Sequence, residues 1–315
     1  MMQMDPEQKA ATRASRKPCV VLMGEFSAGK STLTNLLLSA DPLPVQVTAT
    51  RLPPIRIRKG DPAAFRESLT GEMEQIEADS LQDVPMDETR LIHLSMQSDI
   101  LDICDLIDMP GISDPNMDPE VWQRVIGEAD HVIWLTHATQ AWRQSEAAVW
   151  DSLPEELRDQ SLLLITQIDK ILTPKDRRRI LSRIKRETDG LFAGVYPIAL
   201  TEAVAAEGNA IKWEQSGAQA FSDKLIEMVV RTDFALQSGA PQSRAAQESP
   251  ARPRPDPAPE APADRNEMAP VIPMRVRPEQ PAEARSATPV QPRRVQAGRR
   301  QPRGLGTLLR SATDL

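Results

Sequence analysis

The stretch Gly24-Glu25-Phe26-Ser27-Ala28-Gly29-Lys30-Ser31 decides the fold of this chain. It follows an apolar run at residues 19–23 and precedes a helical pattern that begins at Lys30. A glycine-rich turn between a strand and a helix lets successive backbone N–H groups curl around a phosphate, and the helix N-terminus adds partial positive charge. The sequence therefore predicts a phosphate-binding loop, with Lys30 on the β- and γ-phosphates and Ser31 on Mg²⁺.

Short apolar runs alternate with helical patterns on both sides of this loop, as a parallel sheet with crossover helices requires. The predicted strands are 19–23, 55–58, 91–96, 100–107, 131–136, 162–167 and 195–199. The predicted helices are 30–39, 65–81, 119–128, 145–157, 175–191 and 218–236. We expect an α/β fold, with a mostly parallel central sheet and helices on both faces.

Composition divides the chain into a folded part and two polar ends. We predict a flexible segment at 1–17, a domain at 18–235 and a disordered tail at 236–315, with a short helix near 305–312. The tail holds 14 of the 28 prolines and lacks Trp, Tyr and Phe. Such a segment buries too little apolar surface to offset the entropy of ordering its backbone.

Charge is distributed unevenly between the tail and the rest. Residues 236–315 carry 13 Arg and 8 acidic residues, a net charge of +5, so the overall −7 leaves −12 on residues 1–235. A basic tail fits an acidic membrane, nucleic acid or the acidic body of its own chain, and a solvated linker is equally compatible. Of these partners, nucleic acid is the least expected.

Two features of the sequence bear on localisation. Cys19 and Cys104, the only cysteines, lie in apolar runs, which indicates buried free thiols in a reducing compartment. No apolar run approaches the roughly 18 residues that a membrane-spanning helix needs. We expect a cytoplasmic protein whose membrane contact, if any, is peripheral at the inner face.

Three further motifs follow the phosphate loop in the order found in GTP-binding proteins. Asp108-Met109-Pro110-Gly111 places Asp108 to hold Mg²⁺ through water and the Gly111 N–H to sense the γ-phosphate. Thr166-Gln167-Ile168-Asp169 resembles a guanine-binding box, in which Asp169 accepts hydrogen bonds from N1–H and the 2-amino group. Adenine lacks both donors, so this motif favours GTP. Ala199-Leu200 occupies the position at which a loop of GTP-binding proteins contacts the base through its backbone.

The phosphate loop, continued by Thr32 and by Leu33-x-Asn35, resembles that of bacterial members of the dynamin-like family. The segment from Leu43 to Arg51 is similar to the family's first switch, where a threonine closes over Mg²⁺. We predict that Thr50 is this threonine, and Thr48 is the alternative. Ser27 stands where the family binds a monovalent cation, so the resemblance implies K⁺ beside Mg²⁺.

The resemblance also implies GTP hydrolysis that is activated when two GTPase domains meet face to face. Two positions that orient water in other GTPases are Phe26 and Ile112 here, and neither side chain can bind water. We therefore expect a slow basal rate with Lys30, Ser27 and Thr50 as catalytic residues. The alternatives are a GTP-dependent scaffold with negligible turnover, or a peripheral membrane component working with a stalk-bearing dynamin-like partner, because 80 residues of Pro/Arg-rich tail cannot build the family's helical stalk.

Two other stretches leave their role open. The loop from Thr139 to Glu146 carries Trp142 and Arg143 near the predicted nucleotide edge. It could form a dimer contact or an element that acts in trans on a second copy, or Trp142 could cap the core with Arg143 in solvent. The predicted helix 175–191 has a basic side, which a solvated face explains better than a ligand site does.

Overall fold

The computed structural model describes residues 16–40, 42–43, 52–112 and 120–238. Within these ranges the strands are β1 (Cys19–Gly24), β2 (Ile55–Lys59), β3 (Ala63–Ser68), β4 (Met73–Ile76), β5 (Thr89–Met96), β6 (Asp105–Asp108), β7 (His131–His137), β8 (Leu162–Thr166) and β9 (Gly194–Pro197). They form one nine-stranded sheet in the order β4-β3-β5-β2-β6-β1-β7-β8-β9.

Helices connect these strands and cover both faces of the sheet. In the described part of the chain the α-helices are α1 (Lys30–Leu38), α2 (Glu120–Ile126), α3 (Gln144–Asp151), α4 (Glu155–Arg158), α5 (Pro174–Glu187), α6 (Leu200–Val204), α7 (Ala210–Gln215) and α8 (Ala218–Ser238). Five strand pairs are parallel and three, all on the β4 side of β1, are antiparallel. The expected α/β fold with a mostly parallel sheet and helices on both faces is confirmed.

The central strand, β1, explains where the phosphate loop lies. All six of its residues are buried, and it pairs in parallel with β6 on one side and β7 on the other. Alternate residues enter two apolar clusters, Val20 and Leu22 on one face and Val21 and Met23 on the other. A strand that is buried on both faces reads as a continuous apolar run, and the loop leaves from its carboxyl end.

The predicted helix at 65–81 is wrong. This stretch forms most of β3, the whole of β4 and a 3₁₀ turn at Ala78–Asp83. β3 and β4 are an antiparallel hairpin whose turn contains Gly71, at a φ of 88°. The apolar residues Phe65, Leu69 and Met73 are four apart, which suits one side of a helix and one side of a strand equally. The stretch that begins at Phe65 is a strand and not a helix because β3 pairs with β5.

Other elements differ in their bounds. The predicted strand 100–107 is a 3₁₀ turn at Asp99–Asp102 followed by β6, and the predicted helix 145–157 divides into α3 and α4 around Pro154. The predicted helix 175–191 ends at Glu187. Helices α6 and α7 were not predicted. Residues 1–15 of the predicted flexible segment 1–17, and residues 239–315 of the predicted tail with its short helix, lie outside the described residues, whereas residues 236–238 belong to α8.

Both cysteines are free and buried, as predicted. They lie in different apolar clusters on the two faces of the sheet. Among the described residues, no helix combines the length and the apolar character needed to cross a membrane.

Candidate nucleotide-binding site

The phosphate loop joins β1 to α1 in a conformation that only glycine accepts at two points. Gly24 has a φ of 144°, and a Cβ there would lie 2.1 Å from the Leu135 carbonyl oxygen in β7. Gly29 precedes α1 with a φ of 95°, and its Cβ would lie 2.7 Å from Leu200 Cδ1. A side chain at either position would meet both steric and backbone strain. The glycine spacing read from the sequence therefore has a structural cause at both positions.

Lys30 is buried inside this loop, with 7% of its surface exposed. Its Nζ donates to the carbonyl oxygens of Gly24 at 3.1 Å and Glu25 at 2.9 Å. Burial lowers the pKa of Lys30 to about 8, against the opposing charges of Asp108 and Glu25. The ammonium is thus held by the loop's own backbone, in a place where little water competes for it.

Ser31 and Asp108 come together from α1 and β6. Ser31 Oγ donates to Asp108 Oδ2 at 2.9 Å, while Asp108 Oδ1 is buried and accepts a hydrogen bond from none of the described residues. Burial raises the pKa of Asp108 to about 6, although Lys30 and Ser31 oppose this shift. A buried carboxylate oxygen without a donor, beside a serine hydroxyl, fits an oxygen-ligated divalent cation such as Mg²⁺.

The segment after β6 lies against the phosphate loop. A Cβ on Gly111 would be 2.8 Å from Phe26 Cα and 3.0 Å from the Phe26 nitrogen. The Ile112 N–H donates to the Gly24 carbonyl oxygen at 3.2 Å. Two of the four motifs are therefore in direct backbone contact. Phe26 itself is 40% exposed.

The predicted base-binding residues follow β8 and β9. Thr166 is buried and donates through Oγ1 to the Thr136 carbonyl oxygen at 3.2 Å. Gln167 has a φ of 56°, and its Nε2 donates to the Ser27 carbonyl oxygen at 3.2 Å. Its Oε1 accepts a hydrogen bond from Lys170 Nζ at 2.7 Å. Gln167 thus joins the predicted base-binding turn to the phosphate loop.

The remaining predicted residues lie at the same end of the sheet. Asp169 is half-buried in the 3₁₀ turn Ile168–Lys170. Ala199 precedes α6 and donates to the Ser216 carbonyl oxygen at 2.8 Å, and Leu200 reaches Gly29. Ala28 is buried, and Thr32 lies half-buried in the first turn of α1. All the predicted residues that the structure describes therefore lie at the carboxyl ends of β1, β6, β8 and β9, in the loops that follow these strands, or in the first turns of α1 and α6.

The switch threonines Thr48 and Thr50 lie outside the described residues. The structure does show how the preceding segment is held. Asn35 Nδ2 donates to the Leu43 carbonyl oxygen at 2.9 Å, and the Leu43 N–H donates to Asn35 Oδ1 at 3.3 Å. A buried amide that satisfies both backbone groups of one residue fixes its position, so Asn35 holds Leu43, the first residue of the predicted switch segment.

Sequence reasoning missed the partners of Glu25. Its carboxylate is buried and accepts from Arg143 Nη1 at 3.1 Å and Ser145 Oγ at 3.2 Å. Arg143 was considered either a dimer contact or a solvated residue, and it forms an ion pair inside its own chain. The sequence signal was Glu146, which accepts from the Arg143 N–H at 3.0 Å and so marks the start of α3.

Trp142 packs against the core, as expected from the alternative in which it caps the core. It lies edge-on to Trp134, Trp150 and Phe192, with ring centroids 5.4–6.5 Å apart. Its φ of 58° is unusual for a bulky residue. The aromatic cluster and the Glu25 ion pair are therefore adjacent along the chain and hold the loop after β7 in place.

Comparisons with known proteins agree with this geometry. Residues 20–168 match the model of the dynamin family. Dynamin-like protein 2 of Campylobacter jejuni is 23% identical over 215 residues, which cover 66% of this chain and 34% of that protein.

Two solved structures share the fold. They are described as an oligomerised bacterial dynamin pair that provides a mechanism for long-range sensing and tethering of membranes. They match with TM-scores of 0.53 and 0.54 at 18% and 19% identity, covering 74% and 73% of this chain and 37% and 38% of theirs. This chain therefore spans little more than a third of the length of these relatives. The resemblance seen in the phosphate loop is confirmed, because residues 20–168 match the dynamin-family model and the chain shares its fold with the bacterial dynamin pair.

Proposed function

We propose that this chain binds GTP with Mg²⁺ and hydrolyses it to GDP and phosphate as a molecular switch. The observation that carries the proposal is the meeting of Lys30, Ser31 and Asp108 at the carboxyl ends of β1 and β6. A buried ammonium, a hydroxyl and a carboxylate oxygen without a donor are the groups that a magnesium-bound triphosphate needs.

Asp169 supports GTP over ATP. It lies in a turn whose preceding residue, Gln167, is bonded to the phosphate loop, so the base-binding and phosphate-binding residues hold a fixed relation. A carboxylate there accepts two hydrogen bonds from guanine and finds no matching donors on adenine. Leu200, packed on Gly29, closes the same side of the loop.

The cation site would consist of Ser31, Asp108 and the switch threonine, for which Thr50 is proposed. Bound Mg²⁺ neutralises charge on the β- and γ-phosphates. The residues of this chain supply the rest: Lys30 leaves the carbonyl oxygens of Gly24 and Glu25 to contact phosphate, and the Gly111 N–H lies beside the loop to contact the γ-phosphate.

A slow basal rate follows from Phe26 and Ile112. Both are apolar, and the Ile112 N–H is already bonded to Gly24. Water must then be oriented by backbone groups, by Thr50 or by a second molecule, so we propose activation by dimerisation of the GTPase domains. K⁺ near Ser27 would supply further positive charge.

The test compares binding and hydrolysis of GTP and ATP by the full chain, across protein concentration and in K⁺ or Na⁺. We expect GTP to bind more tightly, with turnover per molecule that rises with concentration and with K⁺. Lys30→Ala should remove binding of either nucleotide. Asp169→Asn should weaken GTP binding by about tenfold or more, since a charged hydrogen bond contributes about 1.5–3 kcal/mol. Preference for ATP would overturn the proposal.

A second candidate function is a GTP-dependent scaffold with negligible turnover, which the apolar Phe26 and Ile112 favour. Single-turnover phosphate release separates the two, because a scaffold would retain GTP under conditions where the dimer forms. A stalk-bearing dynamin-like partner, and contact of the basic tail with an acidic membrane, also stay predictions. Co-sedimentation with liposomes of acidic lipid, with and without the tail, tests the latter.

A further inference from the structure

The outer side of α5 is strongly basic. The helix contains seven Lys and Arg residues and two carboxylates, and none of the seven forms an ion pair with an acidic residue that the structure describes. Ile180, Leu181 and Ile184 pack inward on the sheet. At helical spacing the opposite side is then formed by exposed cations, which we call the basic side: Lys175, Arg178, Arg179, Lys185 and Arg186.

The other end of the sheet is strongly acidic. From Gly71 to Glu88 the chain has seven carboxylates and no Lys or Arg, and all seven are exposed. Glu74 and Glu88 share Arg66. The others form no ion pair with any residue in the described ranges, and we call them the acidic edge: Glu72, Glu77, Asp79, Asp83 and Asp87.

The sheet order separates these two surfaces. The residues of the acidic edge flank β4 and continue along the connection from β4 to β5, at one end of the sheet, whereas α5 connects β8 to β9 at the other end. Eight strand spacings of about 4.8 Å place the two ends roughly 38 Å apart. Because salt screens charge beyond about 8 Å at physiological ionic strength, the two surfaces cannot neutralise each other within one domain.

We propose that the basic side of one copy of this chain docks on the acidic edge of a second copy. The two surfaces are complementary in charge, and each has exposed apolar side chains beside it: Leu172 next to α5, and Leu69 and Met73 at the hairpin. The contact joins different surfaces of identical chains, so each added copy brings one further surface of each kind and the assembly grows until it closes as a ring or continues as an open row. It needs no nucleotide, and so it is independent of the proposed GTP-dependent dimer.

The test uses sedimentation velocity of the full chain without nucleotide. We expect association that increases with protein concentration at about 30 mM salt and disappears at about 500 mM, where screening is nearly complete. Arg179→Glu/Arg186→Glu lowers the charge of the five basic-side residues from +5 to +1, and Glu72→Lys/Glu77→Lys changes that of the five acidic-edge residues from −5 to −1. Each double variant alone should lose association by about tenfold or more, because most of the charge attraction between the two surfaces is removed while the other surface of each variant stays intact. A mixture of the two variants should associate again.

The matched control is Lys212→Glu/Arg231→Glu, which changes net charge as the helix variant does but lies on α7 and α8. It should associate as the parent chain does. An equal loss in this control would overturn the proposal, since net charge alone would then explain the result. The proposal would also be overturned if the mixture failed to associate, or if only the edge variant lost association. Binding of the basic side to anionic vesicles without self-association would make lipid the partner instead.

Discussion

Arg143 Nη1 lies 3.1 Å from Glu25 Oε2, and this ion pair connects the loop after β7 to the phosphate loop. The Glu25 side chain is 8% exposed and that of Arg143 is 44% exposed. The carbonyl oxygen of Glu25 accepts from Lys30, so a contact that fixes the Glu25 side chain also restrains a partner of the phosphate-binding lysine. The ion pair is therefore a positioning contact for the proposed nucleotide site.

Arg143→Ala should weaken both the fold and the site. It leaves the buried Glu25 carboxylate with Ser145 as its remaining described partner, which we expect to cost about 1 kcal/mol of unfolding free energy after allowance for the exposure of the arginine. GTP affinity should fall severalfold and be partly rescued by Arg143→Lys. Denaturant unfolding and nucleotide titration measure the two effects. Arg177→Ala, which removes an exposed arginine elsewhere, is the control, and unchanged GTP affinity in Arg143→Ala would exclude a positioning role.

Gly111→Ala should reduce nucleotide binding by displacing the phosphate loop. Its Cβ would meet the backbone of Phe26 at 2.8 Å, so one of the two segments must move. A misplacement of this kind in a nucleotide site costs about tenfold or more in affinity. Gly127→Ala is the matched control, because nothing lies within 4 Å of a Cβ built there. Equal GTP affinity in the two variants would show that the loop tolerates the added methyl group.

Glu146→Ala should destabilise the fold strongly. Glu146 is 1% exposed and accepts from Trp134 Nε1, Thr136 Oγ1 and the Arg143 N–H, each at 3.0 Å. Removing the carboxylate leaves buried donors without an acceptor, at about 1–3 kcal/mol each. We expect a loss of about 3 kcal/mol in denaturant unfolding, a smaller loss for Glu146→Gln, and none for the exposed Glu155→Ala. A loss below about 1 kcal/mol would mean that water replaces the carboxylate.

His131 should make stability depend on pH. Burial lowers the pKa of His131, assisted by Arg231 and opposed by the hydrogen bond to the Gln160 carbonyl oxygen and by Asp130. The unfolded chain therefore binds a proton at a higher pH than the folded chain does. The stability contributed by neutral His131 is complete above its unfolded pKa near 6.5 and is lost as pH falls below that value.

His131→Asn removes the titrating ring and keeps an N–H donor near the Gln160 carbonyl oxygen. Between pH 7.5 and 5.5 its unfolding free energy should fall less than that of the parent chain. Chemical denaturation at several pH values measures both slopes. Identical slopes would assign the acid sensitivity to other groups.

The phosphate loop was predictable because its requirements are local. Gly24 and Gly29 adopt backbone angles that favour glycine, and β1 is buried on both faces, so spacing and apolarity both appear in the sequence. The order of the motifs was informative for the same reason: each follows a strand, and parallel strands end at one edge of the sheet.

The parts that were missed depend on distant residues. The hairpin of β3 and β4 owes its form to pairing with β5, more than 20 residues away, and its four-residue apolar spacing did not distinguish a strand from a helix. The Arg143–Glu25 ion pair joins residues 118 positions apart. A single sequence carries no sign of which of its many acids and bases will meet at such a separation.

Trp142 lies immediately before Arg143, with its indole against Trp134 and Phe192. The fluorescence emission of an indole depends on its surroundings. A movement of the phosphate loop that displaces the Glu25 side chain should also displace Arg143, the residue that follows Trp142. We therefore expect the tryptophan fluorescence of the chain to change when nucleotide binds, and a Trp142→Phe variant would show how much of that change Trp142 contributes among the five tryptophans.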